Sequence, residues 1–375
     1  MPNSLMPGSK DTFAVPERQS RAAAIEDRRA TQVSIIMATF NGQNHVAAQI
    51  ESLTAQTLLP IEIIVSDDGS TDDTLSIVRA ISQEAPFPIR IRQNPQRLGY
   101  GENFLTATRL AIGKYIAFCD QDDVWHPEKL ARCVAALQAH NALLCAHTAE
   151  LIDESSKPIG FFSQGIQTSR VWLPLTLPPW GVFLGFTEVF DKSLLDLIDA
   201  SSRGLDNHTK RGLLAHDRWV YFLASSFGKT VVLAQPLASY RQHGNNLFGR
   251  RSPHPLLSIK SKLSLSGSDL LDHRAMASHR AQILLSVAEK SRGSDTRLAR
   301  KAELSSRRWQ AIANIYDLRA ALHDSMSFRE RLSAFIKLLR GNAYNSFERG
   351  GLSFKVLLKD LALGLMCGRS FIERK

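Results

Sequence analysis

The sequence predicts an α/β fold, a mostly parallel sheet flanked by helices, followed by a mainly helical C-terminal extension. Three observations predict it. Strand, turn and helix patterns alternate with short connections from Val33 to Leu130, the order that builds parallel sheets with right-handed crossovers. The apolar runs end in polar or acidic turns, which gathers chemistry along one sheet edge. After residue 249 the composition changes: 24 Lys+Arg stand against 11 Asp+Glu, net +13, whereas the preceding residues sum to −3. The expected boundaries are a loose leader at 1–31, an α/β domain at 32–249 and a basic helical extension at 250–375. A chain of 375 residues accommodates that division.

The first strand is VSIIMAT, which runs into Thr39, Asn41 and Gly42. Val46, Ala47, Ile50 and Leu53 then recur at helical spacing, and Pro60 closes that helix. Ile61 to Val65 is a second strand, ending in Ser66, Asp67, Asp68 and Gly69. Ser70 or Thr71 can cap the next helix, with Asp72 and Asp73 favouring its positive end. Pro88 to Arg92 is a weaker third strand, and Gly101 to Ala111 a third helix.

The fourth strand, Tyr115 to Cys119, ends in Asp120, Asp122 and Asp123. Three carboxylates in four residues repel one another unless a cation or several donors lie near. Alternation lets Asp120 and Asp122 face one way while Gln121 faces the other. That geometry suits a divalent ion bridging to a phosphate; a solvated turn capping the helix that starts near Pro127 is the plainer alternative. No GxGxxG follows the first strand and no GxxxxGK[ST] occurs, so a nucleotide would have to be held differently. Asp67 or Asp68 could accept from a base or ribose, and Asp120 from the other side of the ribose.

Leu143 to Leu151 reads as another strand. Residues 159–180, rich in Pro, Gly and aromatics, read as an irregular substrate-side region in which Trp172 and Trp180 offer ring faces or simply pack. GVFLGFTEVFDKSLLDLI suggests a strand or turn near Gly185 leading into a helix. His216 and Asp217 precede an amphipathic helix that Gly228 ends, so Asp217 is either an N-cap or a chemical group. Arg241 and His243, two apart, suit a diphosphate and metal site.

Four cysteines without CxxC or zinc spacing point to a reducing compartment. No signal-peptide core and no run of about 18 apolar residues is present, so a cytoplasmic location is expected. In the extension, Leu332, Phe335, Ile336 and Leu339, then Phe354, Leu357, Leu358, Leu361 and Leu365, recur every three or four residues among Lys337, Arg340, Lys355 and Lys359. Such helices either lie on the anionic inner leaflet or cap the domain. The charge comes without a base-reading motif, so no nucleic-acid partner is expected.

Together and in order, ATFNG at 38–42, VSDDGSTDDT at 65–74, the 94–103 stretch with Leu98 and Gly99, FCDQDDVWHPEKL at 118–130, HDRW at 216–219 and YRQHGNN at 240–246 resemble bacterial glycosyltransferases of family 2 with the GT-A fold. The likeness covers roughly residues 32–248 and is nearest the rhamnosyltransferase-like polysaccharide branch. The resemblance implies an inverting transferase that moves a sugar, in that branch rhamnose, from a nucleoside diphosphate sugar to a hydroxyl of a glycan or lipid-linked acceptor. It implies Thr39, Asp67, Asp68, Asp120 and Arg241 at the nucleotide sugar, Asp122 and His243 at a Mg²⁺ or Mn²⁺ ion, and Asp217 as the base. Glu188 departs from the pattern by placing a charge where the family is less charged. Nucleotidyl transfer and a non-catalytic sugar-binding module are the competing readings.

Overall fold

The computed structural model describes residues 32–206, 212–243, 267–346 and 351–367. The expected leader and the 249/250 boundary lie outside these residues. Strands β1 (Val33–Thr39), β2 (Glu62–Asp67), β3 (Ile89–Gln93) and β4 (Tyr115–Asp120) form the parallel half of one sheet, in the order β3-β2-β1-β4. β9 (Glu188–Asp191) then pairs antiparallel with both β4 and β6 (Ala142–Ile152), and β10 (Lys229–Arg241) runs parallel to β6. The two-residue β5 (Val124–Trp125) closes the order, antiparallel to β10. The sheet is therefore parallel in its first half and mixed in its second. β7 (Pro158–Phe162) and β8 (Arg170–Trp172) add antiparallel edges to β6 and β10.

Register brings the motifs together. Thr39 lies opposite Asp67, and Ala38 opposite both Ser66 and Asp120, so the ends of β2, β1 and β4 share one rim.

Alternation along β1 divides the core. Val33, Ile35 and Met37 pack with Val46, Ile50 and Leu53 of α1 (Val46–Thr54) and with Leu130, Val134 and Leu137 of α4 (Lys129–His140). Ile36, Ile64, Ile116 and Phe118 face the other way, toward Phe104 of α3 (Tyr100–Thr108) and Trp219 and Phe222 of α5 (His216–Phe227).

That second cluster continues into the extension. α6 (Gly267–Ser291) and α7 (Thr296–Asp324) contribute Leu270, Ala277, Leu284, Trp309 and Ile312 to it. Arg280 is buried at α6, its guanidinium 4.5 Å from the Trp309 ring and 4.9 Å from Trp180; desolvation pulls it down to about 9. Ser305 donates to the Ser226 carbonyl at 2.7 Å and Lys301 to the Phe227 carbonyl at 2.8 Å. Trp180 thus packs, whereas Trp172 lines a cavity of about 300 Å³ with Gln164, Phe183 and Tyr221. α8 (Phe328–Arg340) and α9 (Phe354–Lys359), which continues as a π-helical segment, Asp360–Cys367, pack on the end of α7. There Asp360 is buried and accepts from Arg319 Nε at 2.7 Å, Arg319 Nη2 at 2.9 Å and Tyr344 at 3.1 Å, with His323 Nε2 2.9 Å away.

Two local expectations are corrected. α2 (Thr74–Ser82) starts after Asp73 with no side-chain cap; Ser70 and Thr71 instead bond Asn41, joining the first two turns. The region after Gly185 is a 3₁₀ turn, strand β9 and further 3₁₀ turns in place of one helix, because the sheet has an open position between β4 and β6 that the β-branched and aromatic Val189 and Phe190 fill.

Candidate active site

The first turn of the rim is a hydrogen-bonded frame. Asp67 is fully buried; its Oδ1 accepts from Thr39 at 2.9 Å and its Oδ2 from Ser70 N at 2.9 Å and Gly69 N at 3.1 Å. Asp68 accepts from Leu98 N at 2.6 Å, Gly99 N at 2.8 Å and Asn94 Nδ2 at 3.1 Å. Asn103 receives Asn94 at 2.8 Å and donates to the Ser66 carbonyl at 2.8 Å. Thr39, Asp67 and Asp68 are thus brought to one place, with their bonds drawing three loops around it.

Gln121 was expected only to point away from its acidic neighbours. It accepts from Phe40 N at 2.9 Å and donates to the Phe40 carbonyl at 3.0 Å, latching the acidic loop to the first turn. A Cβ on Gly42 would lie 2.2 Å from Gln121 Oε1. Gly42→Ala is therefore expected to break both bonds at a cost of about 1–3 kcal/mol; thermal unfolding checks it.

The acidic centre lies at the end of β4. Asp122 Oδ2 is 2.8 Å from His243 Nε2, and His243 stacks on His45 at 5.4 Å. Burial, then repulsion from Asp122 and Asp217, lifts Asp120 to about 7. Asp123 is pushed well up by burial and by Asp122, while its Oδ1 accepts from Arg241 N at 3.0 Å. Arg241 is 2% exposed. Its guanidinium donates to the carbonyls of Asp122 at 2.8 Å, Asp153 at 3.0 Å and Glu154 at 3.1 Å, so it organises the acidic loop from within. Among the described residues no three His, Cys, Asp or Glu side chains converge as a metal cage. A Mg²⁺-type ion usually takes one or two protein ligands and completes its shell with phosphate and water oxygens. Asp122 supplies the carboxylate of that set, and His243 adds a nitrogen donor 2.8 Å from it that lies outside the all-oxygen preference of Mg²⁺.

Asp217 stands in the first turn of α5, whose N-cap is Ala215, so its carboxyl is not the helix cap. Its Oδ1 accepts from Arg218 N at 2.7 Å. Burial pushes the carboxyl up to about 6; Asp206 adds to the rise and Arg218 opposes it. Asp206, 3.6 Å from Arg218, had no sequence signal, since only folding brings it beside Asp217. His216 is a wall: it stacks on Phe104 at 4.1 Å and meets Phe118 edge-on at 4.7 Å. Burial drives it down to about 3, so it is neutral at physiological pH.

Glu188, at the start of β9, is fully buried and neither carboxylate oxygen has a hydrogen-bond partner among the described residues. Desolvation, then the Asp217 charge, raises it well above the ordinary carboxylate range. The folded state therefore holds this proton more tightly than the unfolded chain. Its stability contribution is complete below about pH 4.3, the unfolded glutamate value, and is lost as pH rises toward the folded one. Glu188→Gln is expected to remove that slope, at most about 1.4 kcal/mol per pH unit. Urea unfolding of both proteins from pH 5 to 8 checks it; parallel curves would show an ionised Glu188.

Residues 34–176 match the family model described as glycosyl transferase family 2. The chain is 30% identical over 229 residues to an uncharacterised glycosyltransferase of Nostoc sp., covering 57% of this chain and 66% of that one. It is 28% identical over 242 residues to the dTDP-rhamnosyl transferase RfbG of Shigella flexneri, covering 62% and 78%. It is 33% identical over 131 residues to an Escherichia coli UDP-Glc:alpha-D-GlcNAc-diphosphoundecaprenol beta-1,3-glucosyltransferase, covering 35% and 51%. The crystal structure of S. aureus TarS 1–349 with UDP-GlcNAc superposes with a TM-score of 0.51 at 17% identity, over 91% of this chain and 92% of that one, a likeness of fold alone. Joined to a sheet that gathers Asp67, Asp120 and Thr39 on one rim, these matches place the chain in glycosyl transferase family 2, with the GT-A fold.

Proposed function

We propose that the protein transfers a sugar, with inversion, from a nucleoside diphosphate sugar to a hydroxyl of a growing surface polysaccharide or lipid-linked glycan. The observation that carries this reading is the meeting of two acidic centres: Asp120 at the end of β4 feels the charges of both Asp122 and Asp217. The rim formed by Thr39, Asp67 and Asp68 is the place for the nucleotide. Asp217 takes the acceptor proton, the acceptor oxygen bonds to the anomeric carbon, and the bond from that carbon to the diphosphate breaks with its electron pair leaving on the nucleotide. A Mg²⁺ or Mn²⁺ ion held by Asp122 and His243 would offset charge on the leaving diphosphate. Arg241 acts as a positioning residue, fixing the Asp122 backbone.

The RfbG likeness favours dTDP-rhamnose as donor, and the diphosphoundecaprenol-linked substrate in the glucosyltransferase's name favours a lipid-linked acceptor, which would bring the enzyme to the inner membrane face. The test is product analysis with a donor panel and divalent metal. Nucleoside diphosphate release with one donor supports the transferase; inorganic pyrophosphate release would favour nucleotidyl transfer; donor binding without turnover in the presence of a membrane extract would favour a non-catalytic module.

A further inference from the structure

α8 carries apolar residues on two adjoining arcs. Ala334, Phe335 and Leu338 are buried against Leu322 and Leu365. Phe328, Leu332, Ile336 and Leu339, spaced by four, four and three, form a second stripe on one helix face, and all four are exposed. The 354–367 segment touches α8, Arg331 Nε donating to the Leu365 carbonyl at 3.3 Å. It exposes Phe354, Leu358, Leu361 and Met366, and Met326 stands before α8; across both elements these exposures run from 37% to 71%. No other described part of the chain groups so many exposed large apolar side chains, and a patch of this kind marks a contact surface.

The charge beside it is mainly basic. Arg329, Lys337 and Arg340 are exposed on α8 next to the stripe, and Lys355 is exposed on α9. The two acids of these elements do little to offset them. Asp360 is buried in its Arg319 and His323 cluster, and Glu330, exposed and accepting from Ser325, is one carboxylate against the four exposed cations Arg329, Lys337, Arg340 and Lys355. Two copies meeting through this face would set like charges together, whereas anionic lipid headgroups neutralise them while the acyl boundary takes the apolar stripe. Among the described residues no helix is long and apolar enough to cross a membrane, so the contact would be lateral.

We propose that α8 and the 354–367 segment dock this enzyme on an anionic bilayer, an inference that rests on the lipid-linked acceptor reading above. The full chain should float with vesicles of equal phosphatidylcholine and phosphatidylglycerol and stay behind with phosphatidylcholine alone. Phe328→Ser/Leu339→Ser/Leu358→Ser should weaken partitioning about tenfold or more, as should Arg329→Glu/Arg340→Glu. Thermal unfolding and nucleoside diphosphate release without vesicles verify that each variant is folded and competent. No flotation of the wild type with either vesicle, or flotation unchanged in both variants, overturns the proposal. A dimer in light scattering that the serine variant dissociates, with no flotation, assigns the face to a second copy and also overturns it. Flotation with no turnover on any donor leaves the docking surface standing and removes the transferase reading.

Discussion

Asp217→Asn should lower kcat by about a thousandfold, within the range of 10²–10⁴ usual for a lost general base, and leave donor affinity nearly unchanged. The amide keeps the shape of the side chain but cannot take the acceptor proton. With Asp217 at about 6, the sign of the pH dependence is set: the base works when deprotonated, so kcat/KM rises with pH through about 6 and then levels. Asp206→Asn removes the neighbouring charge that helps hold Asp217 up and should move the acid limb to lower pH. An Asp217→Asn enzyme that keeps its rate, or a profile that falls as pH rises through 6, would remove the base role. Stopped-time product assays with saturating donor measure both.

Asp122→Ala should cost about a hundredfold or more in turnover and move the half-saturating Mn²⁺ concentration upward, since even residues that only orient a metal ligand cost 10–100-fold. His243→Ala should show the smaller, same-signed effect, because its Nε2 is 2.8 Å from the Asp122 carboxylate and its loss removes one donor of the pair. Chelation should silence the wild type, and added Mg²⁺ or Mn²⁺ should restore it. Equal activity of Asp122→Ala at all metal concentrations would separate the acidic loop from metal binding. Because Asp122 is partly exposed at the end of a strand, its removal should leave the thermal transition close to that of the wild type, which distinguishes a lost ligand from a lost fold.

Apart from the two-residue β5, the order of strands and helices through α4, the acidic end of β4 and the helix beginning at His216 were legible from local pattern, because burial alternation, turn residues and helix periodicity are short-range properties. So was the convergence of the first, second and fourth strand ends, since parallel strands with right-handed crossovers place their carboxyl ends on one edge. What folding alone decided were matters of long-range partnership. Arg241 reads as a diphosphate contact beside His243, but the pairing of β10 with β6 places its guanidinium among the carbonyls of 122, 153 and 154. Glu188 stands out in the sequence only as a charge where the family is less charged; the slot between β4 and β6 draws it into the sheet and removes it from water. Gln121 and Asp206 gain their roles from chain segments 81 and 12 residues away. The basic extension was legible as amphipathic helices. That α6 and α7 bury their apolar faces on α5 while α8 and α9 leave apolar stripes uncovered depended on the relative placement of whole helices, because a repeat of apolar residues defines a face and only tertiary packing determines what covers it.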